Sequence, residues 1–252
     1  MLHDIEGVAF DLDGTFYPNY RLNIRLVPFL VREWRLLAAF GRARNIIRAG
    51  QEQDLRGAAP GPQGAPVNAA EPAGESALGK GETFYDVQAR IAARLLNASD
   101  GALVKRRIET LIYRGWEPLF KKIRLFPHVR ETIAALREAG LKLGLLSDFP
   151  PEMKLEYLGL DGVWDAVLCS ERENYLKPHP RPFLSLAQAM GLPPDRILYA
   201  GNSRRYDAEG ARRAGMKSAL IKPFHIISAG EAAGFIFTDY RQLRKYVLTY
   251  YS

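Results

Sequence analysis

The first apolar run, Ile5, Gly7, Val8, Ala9 and Phe10, is short and dense and gives way at once to polar residues. That pattern predicts a buried strand. From Pro127 onward the chain alternates two periods. Val129, Ile133 and Leu136 recur at helical spacing as far as Ala139, and Gly140 closes that helix. Leu141 to Leu146 reads as a second strand, Met153 to Leu158 as a short helix, and Val163 to Cys169 as a third strand. Pro182 to Met190 predicts a helix closed by Gly191, and Ile197 to Ala200 another strand. Ala208 to Ala214 is again helical, closed by Gly215 and followed by a strand at Ser218 to Ile221. The segment around Tyr240 to Val247 returns to helical spacing. Strands alternating with helices across short loops predict an α/β fold with a parallel, doubly wound sheet. In such sheets functional residues gather at the carboxyl ends of the strands.

The stretch 17–125 has a different character. Leu22 to Ile47, Phe84 to Leu96 and Ala102 to Phe120 read as amphipathic helices, with no convincing strand among them. The chain thus starts a sheet, leaves it to build a helical unit, and returns near residue 126. This predicts a discontinuous core of residues 1–16 and 126–252 around an inserted helical domain of 17–125. Between the helices, 57–81 is dominated by Gly, Ala and Pro, a composition too poor in large apolar side chains to order itself. A mobile loop is expected there. Gly74 to Gly81 approaches a nucleotide-binding glycine loop, but it ends Gly79-Lys80-Gly81, lacks the closing Ser or Thr, and follows no strand. That reading is rejected.

Composition narrows the classes further. A chain of 252 residues can bury a sizeable core and carry a smaller domain. Cys169 is the single cysteine, so no disulfide can form within the chain. The longest apolar stretch, Leu26 to Phe40, is broken by Arg32, Glu33 and Arg35, and His3, Asp4 and Glu6 do not resemble a leader. The expectation is a cytoplasmic protein with no membrane partner. The net charge of +7 is spread along the chain with no basic run interleaved with aromatics. Nucleic acid is therefore not the expected partner; a positive field gathering anionic metabolites is.

The chemistry lies where the first strand ends, in Asp11-Leu12-Asp13-Gly14-Thr15. Gly14 lets the chain turn sharply, so that two carboxylates can face one point. An EF-hand loop would need ligands where Thr15 and Leu22 stand and a glycine at Phe16, which excludes calcium of that kind. Ser147 follows the next core strand, Lys177 within Lys177-Pro178-His179-Pro180 sits just before a predicted helix, and Gly201-Asn202-Ser203 after a further strand leads to Asp207.

With these four motifs in order, the chain resembles the haloacid dehalogenase superfamily over residues 5–16 and 126–225, and within it the phosphatase branch. The resemblance implies a Rossmann-like core and a helical cap inserted after the first motif. It implies that Asp11 attacks phosphorus to form an aspartyl-phosphate and that Asp13 serves as general acid and base. Ser147, Lys177 and Gly14 would bind the phosphoryl group, with Lys177 also neutralising Asp11. Mg²⁺ would rest on Asp11, the Asp13 carbonyl, Asn202 and Asp207. The implied activity is a magnesium-dependent phosphomonoesterase acting on a small phosphorylated metabolite. Alternatives on the same fold are a haloacid dehalogenase, a phosphomutase and a non-catalytic interaction protein.

Two positions depart from the family pattern. Asn202 stands where an aspartate is usual and brings no charge, so weaker magnesium binding is expected. Asp148 follows Ser147 where an asparagine is usual; Arg204 and Arg205 could pair with it, but they read rather as solvent-facing residues at a helix start. His179, between prolines, reads as a packing residue. Phe16, Tyr17 and Tyr20 fall at the junction of core and cap. Arg21, Arg25, Arg32, Arg35 and Arg114 are the cap cations that could meet an anionic substrate tail.

Overall fold

A computed structural model describes residues 5–57, 81–222 and 234–250. Nearly all of the loop expected at 57–81 lies outside the described residues.

Six strands form one parallel sheet: β1 (Gly7–Phe10), β2 (Lys142–Ser147), β3 (Ala166–Cys169), β4 (Ile197–Gly201), β5 (Lys217–Ile221) and β6 (Phe235–Phe237), in the order β3-β2-β1-β4-β5-β6. Alternation along β1 sends Val8 and Phe10 into the core on one face and Ala9 into that on the other. On the first face lie α5 (Val129–Glu138), α6 (Glu152–Leu158) and α9 (Tyr240–Tyr250), through Ile133, Leu136, Leu155 and Leu243. The opposite face is covered by α7 (Pro180–Met190) and α8 (Glu209–Arg213), through Phe183, Leu186 and Ala211. The chain runs outward from β1 through β2 to β3, then outward again on the other side from β4 to β6. That reversal beside β1 is where a doubly wound sheet leaves a crevice at its carboxyl edge.

Between β1 and α5 the described residues are mainly helical. They comprise α1 (Asn19–Gly57), α2 (Phe84–Leu96), α3 (Gly101–Ile108) and α4 (Arg114–Trp116). The 39-residue α1 contains Pro28 and bends at Glu33, whose φ of −120° and ψ of 26° leave the helical range. The capping box Thr83–Asp86 starts α2, and Asn97 in the left-handed conformation ends it. Leu36, Phe40, Ala43, Ala92, Ile108 and Ile112 form a separate apolar cluster. The single helix expected over Ala102 to Phe120 is instead broken: a wide turn, Glu109–Tyr113, follows α3, and a tight turn, Glu117–Lys122, follows α4. Proline at 118 suits the start of that last turn because its missing N–H costs nothing there.

Candidate active site

At the end of β1, Asp11 continues the ladder by donating its N–H to the Ala200 carbonyl at 2.9 Å. The chain then turns at Gly14, which adopts φ +87°. A Cβ on Gly14 would also stand 1.8 Å from Asn202 Nδ2, so both conformation and packing demand glycine. Gly14→Ala is therefore expected to lose about 1–3 kcal/mol from backbone strain alone, and to lower turnover at least about tenfold by displacing Asn202. Urea titration beside a turnover assay checks both.

Lys177 is the electrostatic centre. Its buried ammonium donates to Asp11 Oδ1 at 2.6 Å and to Asp207 Oδ1 at 2.7 Å, with the Tyr199 hydroxyl at 3.3 Å. Burial by itself would lower the lysine; Asp11 and Asp207 outweigh it and hold the ammonium well above the ordinary range. Burial pushes the Asp11 carboxyl up, Lys177 opposes it, and the Asp207 charge adds to it. The Thr15 hydroxyl donates to the remaining Asp11 oxygen, Oδ2, at 2.7 Å and fixes the plane of the carboxylate. Asp207 is saturated in turn, for its Oδ2 accepts the N–H groups of Asn202 and Ser203 at 3.1 and 2.9 Å. Asp207 thus holds Lys177 and the loop after β4. A Cβ on Gly201 would meet the Asp207 carboxyl carbon at 2.5 Å, which explains the glycine ahead of that loop.

Asp13 points elsewhere. Its carboxylate accepts from the Tyr17 hydroxyl and, at 2.6 Å, from Lys154 Nζ on α6. Its carbonyl oxygen accepts from Asn202 Nδ2 at 3.0 Å. Ser147, fully buried at the end of β2, accepts the Phe149 N–H at 3.1 Å, which leaves its hydroxyl proton to give. Asp11, Lys177 and Asp207 thus form one cluster, Asn202 meets the Asp13 carbonyl, and Ser147 ends the strand beside β1.

The partners of Asp148 are not Arg204 and Arg205, which are exposed; they come from the helical segment. Arg48 on α1 reaches Asp148 Oδ2 at 2.7 Å and the Lys177 carbonyl at 3.1 Å, and Arg44 lies 3.5 Å from the same oxygen. Burial raises the Asp148 carboxyl, but Arg48, Lys177 and Arg44 more than reverse this and hold it low. Arg44 also pairs with the fully buried Glu171, whose Oε1 takes the Tyr113 hydroxyl at 3.0 Å. Of the cations first considered for a substrate tail, Arg21 and Arg25 hold the carbonyls of Arg124 and Lys122, and Arg114 pairs with Glu109.

His179 caps α7 through the Arg181 N–H and stacks on Tyr175 with centroids 4.2 Å apart. Burial, aided by Arg181 and Arg213, lowers its pKa from 6.5 to about 4. The folded protein therefore resists a proton that the unfolded chain accepts, and stability falls as pH drops from about 6.5 toward 4. His179→Gln is expected to remove up to about 3 kcal/mol of that loss, read as a shallower decline in urea midpoint across this window.

Comparison with known proteins places these motifs in context. The sequence matches the haloacid dehalogenase-like hydrolases over residues 5–215. The chain belongs to this family. It is 29% identical over 235 residues to phosphoglycolate phosphatase from Salmonella typhi, covering 86% of this chain and 81% of that protein. The Shigella boydii phosphoglycolate phosphatase is 31% identical over 226 residues, covering 85% and 80%. Among solved structures, the HAD phosphatase from Thermococcus onnurineus superposes with a TM-score of 0.59 at 21% identity, covering 96% and 98% of the two chains. The 2-haloacid dehalogenase from Pseudomonas syringae gives 0.62 at 17%, covering 98% and 99%. These two likenesses concern the fold.

Phosphatases of the haloacid dehalogenase family generally use a divalent metal, and the donors here suit a hard cation: a carboxylate, a main-chain carbonyl and an amide. Turned over about its last torsion, the Asn202 amide would put oxygen where Nδ2 stands, 3.0 Å from the Asp13 carbonyl oxygen. Two oxygens about 3 Å apart match one edge of an octahedron with bonds of about 2.1 Å. Asp207 accepts from Lys177 and two N–H groups, and Asp11 from Lys177 and Thr15, so each carboxylate would exchange a donor to reach a cation.

Several residues of this haloacid dehalogenase-like site escaped sequence reasoning. Tyr199, Arg44, Arg48 and Glu171 carry no local signature. Lys154 does: a cation in the first turn of α6 opposes the helix dipole, which points to an anionic partner nearby. That partner is Asp13.

Proposed function

We propose that the protein is a metal-assisted phosphomonoesterase acting on a small phosphorylated metabolite, with Asp11 as nucleophile. The observation that carries this reading is the buried Lys177 ammonium on Asp11, placed at the sheet's crevice with Asp13 two residues away and Ser147 at the adjacent strand end.

Asp11, oriented by Thr15 and Lys177, attacks phosphorus as the bond to the leaving oxygen breaks, and an aspartyl-phosphate forms. Lys177 relieves the repulsion between the carboxylate and the phosphoryl group. The Ser147 hydroxyl donates to a phosphoryl oxygen. Asp13 gives a proton to the leaving oxygen, then takes one from the water that hydrolyses the intermediate, help typically worth about 10²–10⁴-fold. A divalent cation held by Asp11, the Asp13 carbonyl and Asn202 would neutralise phosphoryl charge; Mg²⁺ is the candidate. The helical segment acts as the cap, excluding water and selecting the leaving group. Among the described residues no helix is long and apolar enough to cross a membrane, in keeping with a soluble substrate.

The test is hydrolysis of p-nitrophenyl phosphate with Mg²⁺ or with EDTA. Turnover that EDTA abolishes and Mg²⁺ restores is expected; inactivity of the folded protein in both sinks the reading. Asn202 favours a second one, since an amide in place of the fourth-motif acid suits the family's dehalogenases. Halide release from 2-chloropropionate would support that alternative.

A further inference from the structure

Asp13 lines a cavity of about 100 Å³ between the helical segment and the core. Its walls are largely aromatic: Tyr113, Trp116, Phe120 and Phe149, with Asp13, Glu117 and Lys154 as its charged members. This size is on the order of apolar cavities that admit a single ring. Because Asp13 lies in the wall, the cavity is where a leaving group released by Asp13 would sit.

The charges there decide what that group can be. Among the described residues Lys154 is the one cation of the lining, and the Asp13 carboxylate pairs with it at 2.6 Å. Its ammonium also rests 5.1 and 5.0 Å from the ring centroids of Phe120 and Phe149, so it is held on both sides. Glu117 has no comparable partner: no ion pair is formed by it among the described residues, and its nearest cationic influences are Arg114 and Lys154. Burial is the largest influence on Glu117 and raises its carboxyl, as expected for an acid set against apolar walls. With Asp13 ionised, these three charges sum to one negative; with the proton that Asp13 gives the leaving oxygen they balance. Trp116 adds a buried indole N–H with no partner, a donor suited to a neutral oxygen of a ligand.

A carboxylate entering here would meet Glu117 without a free cation to receive it. A flat, uncharged group would bury apolar surface against four rings and meet no repulsion. Resting on the phosphatase reading above, we propose that the substrate is a phosphomonoester of a small uncharged alcohol with an apolar or ring-bearing body. A carboxylate-bearing leaving group such as that of phosphoglycolate is selected against, which separates this chain from the phosphoglycolate phosphatases it resembles.

Benzyl phosphate and phosphoglycolate test this directly, because both release a primary alcohol and differ mainly in what enters the cavity. Benzyl phosphate is expected to show a kcat/KM at least about tenfold higher. Glu117→Gln should narrow that ratio by several fold, since it removes the repelling charge while keeping the shape. A preference for phosphoglycolate, or a ratio unmoved by Glu117→Gln, would overturn the inference while leaving the phosphatase reading intact. Binding of 2-phenylethylphosphonate and 3-phosphonopropionate to the full chain, followed by calorimetry, separates the two failures. Tighter binding of the phenyl compound in a protein that turns over neither ester would retain the cavity assignment and discard the phosphatase. Equal or weaker binding would discard the cavity assignment on its own.

Discussion

Asp11→Asn is expected to abolish phosphomonoesterase activity, lowering kcat by at least about 10³-fold. An amide nitrogen and oxygen cannot replace a carboxylate as nucleophile, and no other carboxylate of the site is placed to take over. Asp207 is locked by Lys177 and two N–H groups, and Asp13 is turned toward Tyr17 and Lys154. The substitution is nearly isosteric. The amide oxygen can still accept from Lys177 or Thr15, and Lys177 retains Asp207, so folding should survive and the loss should lie in kcat. Asp13→Asn provides the complementary observation. Without a base for the second step, the aspartyl-phosphate should accumulate on Asp11 and be seen as a phosphoryl mass increment on the intact chain. Activity persisting in Asp11→Asn within tenfold of the parent would remove Asp11 from the nucleophile's role.

The core was legible because local and global signals agreed. Dense apolar runs in β1, β2 and β4 end in polar residues, and the glycines at 140, 191 and 215 take positive φ where their helices stop. β6 was missed: Phe235–Phe237 is three residues long, too short to show a period, and it is held as a strand by pairing with β5. The helical segment was legible as helix but not in its breaks at Glu33 and after α3.

Three of the four motifs could be read because they stand at strand ends, and Lys177 because it precedes the proline-marked start of α7. What surrounds them could not. Arg44 looks like a solvated position on an amphipathic helix, yet it is buried with Glu171, a pairing across 127 residues that no local pattern encodes. The same holds for Asp148, whose cationic partners sit about a hundred residues upstream rather than beside Asn202. Long-range ion pairs of this kind are visible only once the helical segment is placed over the sheet.

Lys177→Met should damage both stability and catalysis, for one electrostatic reason. The ammonium separates Asp11 from Asp207, and both carboxylates are buried. Removing it leaves two like charges in a site of low polarity, a change that typically costs about 3–5 kcal/mol when a buried pair is broken. The variant has a distinctive pH signature. With the cation gone, one carboxyl of the pair should take up a proton well above the ordinary carboxylate range. The folded variant then binds a proton that the unfolded chain, near neutral pH, does not. Its stability should therefore rise relative to the parent as pH is lowered from 7 toward 5, the opposite of the His179 effect. Chemical denaturation at pH 7 and pH 5 measures this difference, and a constant gap between variant and parent would contradict it. Catalysis should not recover at pH 5, because the proton that relieves the repulsion also quenches the nucleophile or the group that positions it. Lys177→Arg is expected to rescue neither property. The planar guanidinium cannot place one donor on Asp11 and another on Asp207 within a space shaped for an ammonium, with Tyr199 and the Leu146 carbonyl already 3.3 and 3.5 Å from it.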